Sequence, residues 1–233
     1  MFCLFLVAAA AASLARITVA VAMDGRDRVE ARCEPILVLL EEFDGVTPPV
    51  LPTGWSSTTW VTSNSGVPTP PADTPPNAVF VDDPATISEK QLLSPNLGFV
   101  ADADAPQLAF RNSFNLQDGF DGGVLEISFD GGLTFQDVVD AGGTFVHGGY
   151  NGTISSCCGN PLASRQAWTG NSGGFIDTTV NLPYRGSYFL RWRLGSDSSV
   201  SGEGWRVDNV AITQCYTPRG GGRPTPHPRP TPP

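Results

Sequence analysis

Histidine is almost missing from this sequence, with two residues in a chain of 233. His147 and His227 cannot be drawn into a His-Glu-x-x-His pattern, so a zinc peptidase site of that kind is excluded. Basic residues are also few, 14 Lys and Arg against 23 Asp and Glu, for a net charge of -9. A surface of that sign does not displace counterions from phosphate; it argues against nucleic acid as a partner and suits solubility and divalent cations. Charged residues make up only 16% of the chain, while 26 Gly and 21 Pro recur throughout. Helix formers are too scarce and breakers too frequent for much helix. The apolar run at residues 2–15 is too short to cross a bilayer.

Cysteine is sparse and follows no metal-binding spacing. Cys157 and Cys158 are adjacent, whereas thiolate knuckles need intervening residues for both sulfurs to face one ion. The apolar run followed by Ala20-Val21-Ala22 reads as an export signal cleaved after Ala22, although no Lys or Arg precedes it. A misplaced start at Met1 is the alternative. Loss of Cys3 with the signal leaves Cys33, Cys157, Cys158 and Cys215, an even set suited to disulfides in an oxidising compartment. The expected location is secreted or cell-surface. The expected segments are a signal peptide at 1–22, a spacer at 23–34, a β-domain at 35–214 and a Pro/Thr/Arg-rich tail at 215–233. The tail favours extended polyproline II and cannot bury a core, so it is either a stalk or a disordered end.

Between these ends the pattern is strand after strand. Residues 108–114, 124–129 and 188–194 alternate apolar and polar side chains, and Gly, Pro and Asp turns separate them. This predicts an all-β, two-sheet antiparallel sandwich. Residues 62–76, rich in Ser, Pro and Thr, and residues 148–161 read as surface loops. Asn151-Gly152-Thr153 in the second is a glycosylation sequon, relevant only in hosts with that machinery.

Several motifs carry chemistry in other settings. Ser128-Phe129-Asp130-Gly131-Gly132-Leu133-Thr134-Phe135 resembles the Asp-box of secreted β-proteins, with Phe135 in place of Trp. Physically it is a hairpin in which Asp130 hydrogen-bonds the turn backbone. Gly170-Asn171-Ser172-Gly173-Gly174 is similar to the segment around a trypsin-like nucleophile, but Asn replaces Asp and the one upstream histidine, His147, lies too near. It reads as a turn. Asp82-Asp83, Asp102-x-Asp104 and Asp118-x-x-Asp121 read as solvated turns, with no twelve-residue loop ending in Glu to make an EF-hand. A carboxylate pair for glycoside hydrolysis among Asp82, Asp102, Asp104 and Glu126 stays open. Trp55, Trp60 and Trp168 are candidates to stack on a ligand, whereas Trp192 and Trp205 lie in strands and are assigned to the core.

The order Glu42-Phe43-Asp44-Gly45, Leu51-Pro52-x-Gly54-Trp55, Leu92-Leu93-Ser94-Pro95, Gly123-Val124-Leu125-Glu126-Ile127-Ser128, Leu190-Arg191-Trp192 and Gly204-Trp205-x-Val207-Asp208-Asn209-Val210 resembles the MAM-type domain. The likeness is to the bacterial version that accompanies immune-inhibitor-A-like metallopeptidases and choice-of-anchor surface proteins, and it covers residues 37–213. It implies a jelly-roll, concanavalin-like sandwich, a structural cation near the terminal strands and an adhesion or accessory role. The zinc domain of the peptidases and the MAM cysteine set are not reproduced here. The chain is thus expected to be a non-catalytic adhesion or binding module for an extracellular protein or glycan. The alternative is a carbohydrate-binding module or an accessory domain of an extracellular hydrolase. Asp is disfavoured in strands, so Asp208 needs a partner: a Ca2+ shared with Glu42 and Asp44, or backbone N–H groups of a turn. If the terminal strands are neighbours, Cys33 and Cys215 form a disulfide, leaving Cys157 and Cys158 bonded to each other or free.

Overall fold

The computed structural model describes residues 34–98, 103–183 and 186–216. The expected signal peptide, the spacer to Cys33, Asp102 and nearly all of the tail lie outside these residues. Thirteen strands follow in order: β1 (Glu34–Glu41), β2 (Val61–Ser63), β3 (Ala78–Val81), β4 (Ser88–Leu93), β5 (Ala103–Asn115), β6 (Gly122–Ser128), β7 (Gln136–Asp137), β8 (Thr144–His147), β9 (Gly152–Thr153), β10 (Gln166–Ala167), β11 (Ile176–Asn181), β12 (Phe189–Ser196) and β13 (Gly204–Tyr216). Among the described residues there is no helix, and none long and apolar enough to cross a membrane.

The strands form an antiparallel jelly-roll sandwich. A seven-stranded sheet runs β2-β3-β13-β5-β11-β8, with β1 also on β13, and a four-stranded sheet runs β4-β12-β6-β7. One edge of β13 is shared: β3 pairs with Trp205 to Val207, and β1 pairs with Val210 to Tyr216. At the changeover the ladder with β5 slips between Asp208 and Ala211, and Asn209 takes a left-handed backbone at φ 50. A bulge leaves backbone groups without ladder partners, and this is where Asp208 sits.

Alternation holds in β12, where Leu190, Trp192 and Leu194 point inward while Arg191 and Arg193 are half-buried. It fails in β6, where every residue is buried. The outer face of β6 is roofed by residues 148–168, which include the surface loop expected at 148–161; they form the β9-β10 hairpin and pack Ile154, Leu162 and Ala167 against Val124. Gly122 and Gly123 are required by this two-sided packing. A Cβ on Gly123 would lie 2.5 Å from the Trp205 ring, and one on Gly122 would lie 2.5 Å from Ile154.

All five tryptophans are in the core, joined in one line of tilted and T-shaped contacts that passes through Phe110 and ends on Phe43. Ring centroids are 5.3 Å apart for Trp60 and Trp205, 5.5 Å for Trp205 and Trp168, and 5.9 Å for Trp168 and Phe110. The line continues at 5.6 Å from Phe110 to Trp192, 5.6 Å to Trp55 and 5.1 Å to Phe43. Such tilted and T-shaped pairs add to area burial because the ring edge meets the electron-rich face.

Candidate functional site

The tryptophans expected to stack on a ligand do not reach the surface. Trp55, Trp60 and Trp168 are 6%, 1% and 1% exposed, so the expectation of a stacking groove on them is corrected. They stand outside the long strands, but their segments turn inward and deliver the rings to the space between the sheets.

Glu42 and Asp44 do not share a strand face either. β1 ends at Glu41, and Phe43 has a left-handed backbone at φ 58, so Glu42 is exposed while Asp44 is half-buried. Asp208 is fully buried and accepts backbone N–H groups: Asp73 at 2.8 Å and Thr74 at 3.0 Å on one oxygen, Asn209 at 2.8 Å on the other. Burial, with added repulsion from Asp44, pushes its pKa up to about 7. Asp44 Oδ1 accepts the Asn77 N–H at 2.8 Å, and Asn77 Oδ1 is buried with no donor. An all-oxygen surrounding of this kind fits a hard cation. Among the described residues, however, no three acidic, His or Cys side chains are grouped so as to hold a metal ion. Cys215 is disulfide-bonded and stands opposite Pro35 in the β1-β13 ladder; Cys33 lies outside the described residues. Cys157 and Cys158 are bonded to each other.

By binding the N–H groups of Asp73 and Thr74, Asp208 pins the loop between β2 and β3 to the sheet. Thr74 Oγ1 adds a bond to Asn209 Oδ1 at 3.0 Å, and Asp73 pairs with Arg111 at 2.9 Å. The pinned loop forms one wall of a surface pocket of about 210 Å3, with Val67 and Pro68 facing Phe80, Asn115, Asn171, Glu203 and Arg206. The strand register explains the gathering: Arg206 stands opposite Phe80 on one side and Ser113 on the other, Gly204 stands opposite Asn115, and Asn115 bridges to Asn171.

Arg206 is the unusual member, a cation only 3% exposed. Its Nε donates to Val67 O at 2.8 Å, its Nη2 donates to Ser65 O at 2.7 Å, and its guanidinium lies 4.4 Å from the centre of the Phe80 ring. Nη1 is buried with no acceptor, and among the described residues no carboxylate forms an ion pair with it. Burial lowers its pKa, with Glu203 acting in the opposite direction. A buried charge without a counter-charge is costly, so the unpaired Nη1 leaves Arg206 short of one acceptor. In sequence Arg206 was only the variable position between Trp205 and Val207; the one available signal was a charged residue inside an apolar strand.

A second charged group lies on the outer face of the four-stranded sheet. Glu126 accepts from Arg165 at 2.5 Å, Arg191 at 2.7 Å and Arg193 at 3.3 Å, and Arg165 also pairs with Asp137 at 2.8 Å. Although burial opposes it, the arginines hold the Glu126 carboxyl below its ordinary pKa, so it stays ionised. A permanently ionised, fully paired carboxylate is a poor general acid. The Asp-box closes as expected, with Asp130 accepting the N–H groups of Leu133 and Thr134 and Ser128 accepting that of Gly132. Ser172 Oγ accepts the Phe114 N–H and donates to Gly174 O at 2.8 Å, which ties the turn to β5.

No family model matches the sequence, and no curated protein matches it. Among solved structures it is similar to the K2 cleaved adhesin domain of Lys-gingipain, at 18% identity over 75% of this chain and 96% of that one, with a TM-score of 0.44. The K3 adhesin domain of Lys-gingipain from Porphyromonas gingivalis W83 is similar at 16% identity over 77% and 99%, TM-score 0.43. The CBM22-1 xylan-binding domain of Xyn10C from Paenibacillus barcinonensis is similar at 9% identity over 78% and 96%, TM-score 0.43. Likeness at this level carries nothing about ligands.

Proposed function

We propose that this chain is an extracellular, non-catalytic adhesion or binding module that seats an oxygen-rich end group, foremost that of a glycan, in the pocket around Arg206. The observation that carries the reading is the unpaired Nη1 donor on a buried arginine beneath this pocket, which a ligand oxygen would reach by a small shift of the wall at Val67 and Pro68. The amide side chains of Asn115 and Asn171 line the same pocket, and hydroxyls or a carboxylate complement such a set. At about 210 Å3 the space suits one ring or end group, being smaller than the roughly 300–1,000 Å3 of drug-sized sites. The disulfide at Cys157 and Cys158 and the bonded state of Cys215 support an oxidising, extracellular setting. The structural engagement of Ser172 and Glu126 supports binding over catalysis. A calcium ion near the terminal strands belongs to the same proposal: Asp44, Asp208 and Asn77, with Glu42 turned inward, would hold it and offset the repulsion between the two Asp carboxylates.

The test is a glycan array with the purified protein, followed by titration calorimetry of the hits. Binding should weaken about tenfold or more in Arg206→Met and in Asn171→Ala, since a hydrogen bond to a charged or buried donor contributes about 1.5–3 kcal/mol. Unchanged affinity in both variants would remove the pocket. Turnover of glycan or peptide, abolished by a single carboxylate substitution in a folded variant, would overturn the non-catalytic reading.

A further inference from the structure

Asp83 and Asp121 were read from sequence as solvated turn residues. Their neighbours behave that way: Asp118 is exposed, and the Asp82 side chain, 65% exposed, pairs with Lys90 at 2.7 Å. Asp83 and Asp121 are instead 2% and 0% exposed, and the fold adds Asp197, 1% exposed, from the end of β12. Each has one oxygen satisfied. Asp83 Oδ2 accepts the Gly202 N–H at 3.0 Å, Asp121 Oδ1 accepts the Asp197 N–H at 2.6 Å, and Asp197 Oδ1 accepts the Ser199 N–H at 2.7 Å. The other oxygen of each, Asp83 Oδ1, Asp121 Oδ2 and Asp197 Oδ2, is buried without a donor, as is Gln117 Oε1 on the turn that leads to Asp121. Among the described residues no Lys or Arg forms an ion pair with any of the three.

Buried oxygens without donors call for a water or an ion, and three carboxylates together call for positive charge. The Asp83 and Asp121 carboxyls lie within hydrogen-bonding reach of each other, although neither, when ionised, has a proton to offer. Something positive must stand between them, either a shared proton or a metal ion. A shared proton satisfies one contact and leaves Asp197 Oδ2 and Gln117 Oε1 as they are. A cation would answer the charge of all three carboxylates, and its oxygen ligands could be drawn from the donor-less atoms of this cluster. We propose that Asp83, Asp121 and Asp197, with Gln117, form a site for a hard divalent cation, calcium by the chemistry of its all-oxygen ligands. Burial raises the Asp83 pKa to about 6 and that of Asp121 to about 7, so the metal-free cluster tends to take up protons that the ion would replace. Among the described residues no three acidic, His or Cys side chains are grouped so as to hold a metal ion, so the proposal requires Asp83, Asp121 and Asp197 to close on the ion when it enters. This site is independent of the Arg206 pocket and of the candidate calcium position at Asp44 and Asp208.

The experiment uses the full chain, stripped of metal and titrated with CaCl2 or MgCl2 at pH 7.5, with bound metal counted by mass spectrometry. The calcium count should fall by one equivalent from the parent in Asp121→Asn and in Asp83→Asn, while at least one equivalent remains in Asp208→Asn, and the calcium-induced rise in melting temperature should shrink accordingly. Hydrogen exchange on the unsubstituted protein provides a readout that needs no variant. Calcium at a hundred times its Kd should slow exchange of the Asp197 and Gly202 amides roughly a hundredfold relative to EDTA. The same calcium count in Asp121→Asn as in the parent, or exchange at Asp197 and Gly202 indifferent to calcium, would overturn the proposal in favour of a shared proton.

Discussion

Replacing Glu126 with Gln tests the charged face of the four-stranded sheet, because it removes one charge and almost no volume. The Glu126 side chain is 3% exposed, and Arg165, Arg191 and Arg193 converge on it with side chains 26%, 15% and 17% exposed. Deleting one member of a buried ion pair costs about 3–5 kcal/mol, since the surviving charges lose their partner without regaining water. The arginines here keep partial access to solvent, and Arg165 and Arg193 retain Asp137 and Glu89, which places the expectation near the lower end, about 3 kcal/mol. For a domain of this size that is a fall in melting temperature of roughly 6–12 °C. The pH dependence adds a signature. The folded-state pKa of Glu126 is depressed, so its contribution is fully present above its unfolded value near 4.5 and is lost as pH falls through the lower folded value. Urea denaturation of parent and variant across pH 8 to 3 should therefore give a stability gap that is flat down to about pH 5 and closes below it. A gap under about 0.5 kcal/mol at pH 7, or one that stays constant to pH 3, would refute the account of Glu126 as the hub of this network.

Gly123→Ala should cost about 1–3 kcal/mol by forcing a methyl into the Trp205 ring, and pairing it with Trp205→Leu in a double-mutant cycle should recover part of that cost; strict additivity would show that the contact is not the cause. Trp168→Ala, which removes a ring touching Phe110, Phe145, Tyr150 and Trp205, should cost about 3–5 kcal/mol by chemical denaturation, and measurable folding at parental stability would contradict its place in the core. Non-reducing peptide mapping should recover Cys33 linked to Cys215, and a peptide pairing Cys33 with Cys157 or Cys158 would overturn that assignment.

What could be read from the sequence was what is decided locally. The Asp-box hairpin was legible because every bond that closes it joins residues within the motif, from Ser128 to Thr134. The long strands were legible from alternation, because one face of each meets the opposing sheet. The double burial of β6 was not, since its second cover arrives from residues 148–168 and periodicity does not report a neighbour. The same reasoning accounts for the tryptophans: Trp55, Trp60 and Trp168 stand among turn residues, and only the long-range path of those turns sends the rings inward. Arg206 was invisible for the opposite reason. Its acceptors, the carbonyls of Val67 and Ser65, lie 139 and 141 residues away. The acidic pairs Asp82-Asp83 and Asp118-x-x-Asp121 each mix one exposed with one buried carboxylate, a split that depends on packing at the end of β12.

The strand that completes the large sheet is the last of the described strands. β13 supplies the edge to which β1 and β3 pair on one side and β5 on the other, so until residues 204–216 are present these three have no common neighbour. Topologies dominated by such distant pairings close slowly, because loop closure must precede any reward from contact. A growing chain of this design is therefore held open by its own connectivity, an unfinished ribbon whose large sheet locks only when β13 has followed.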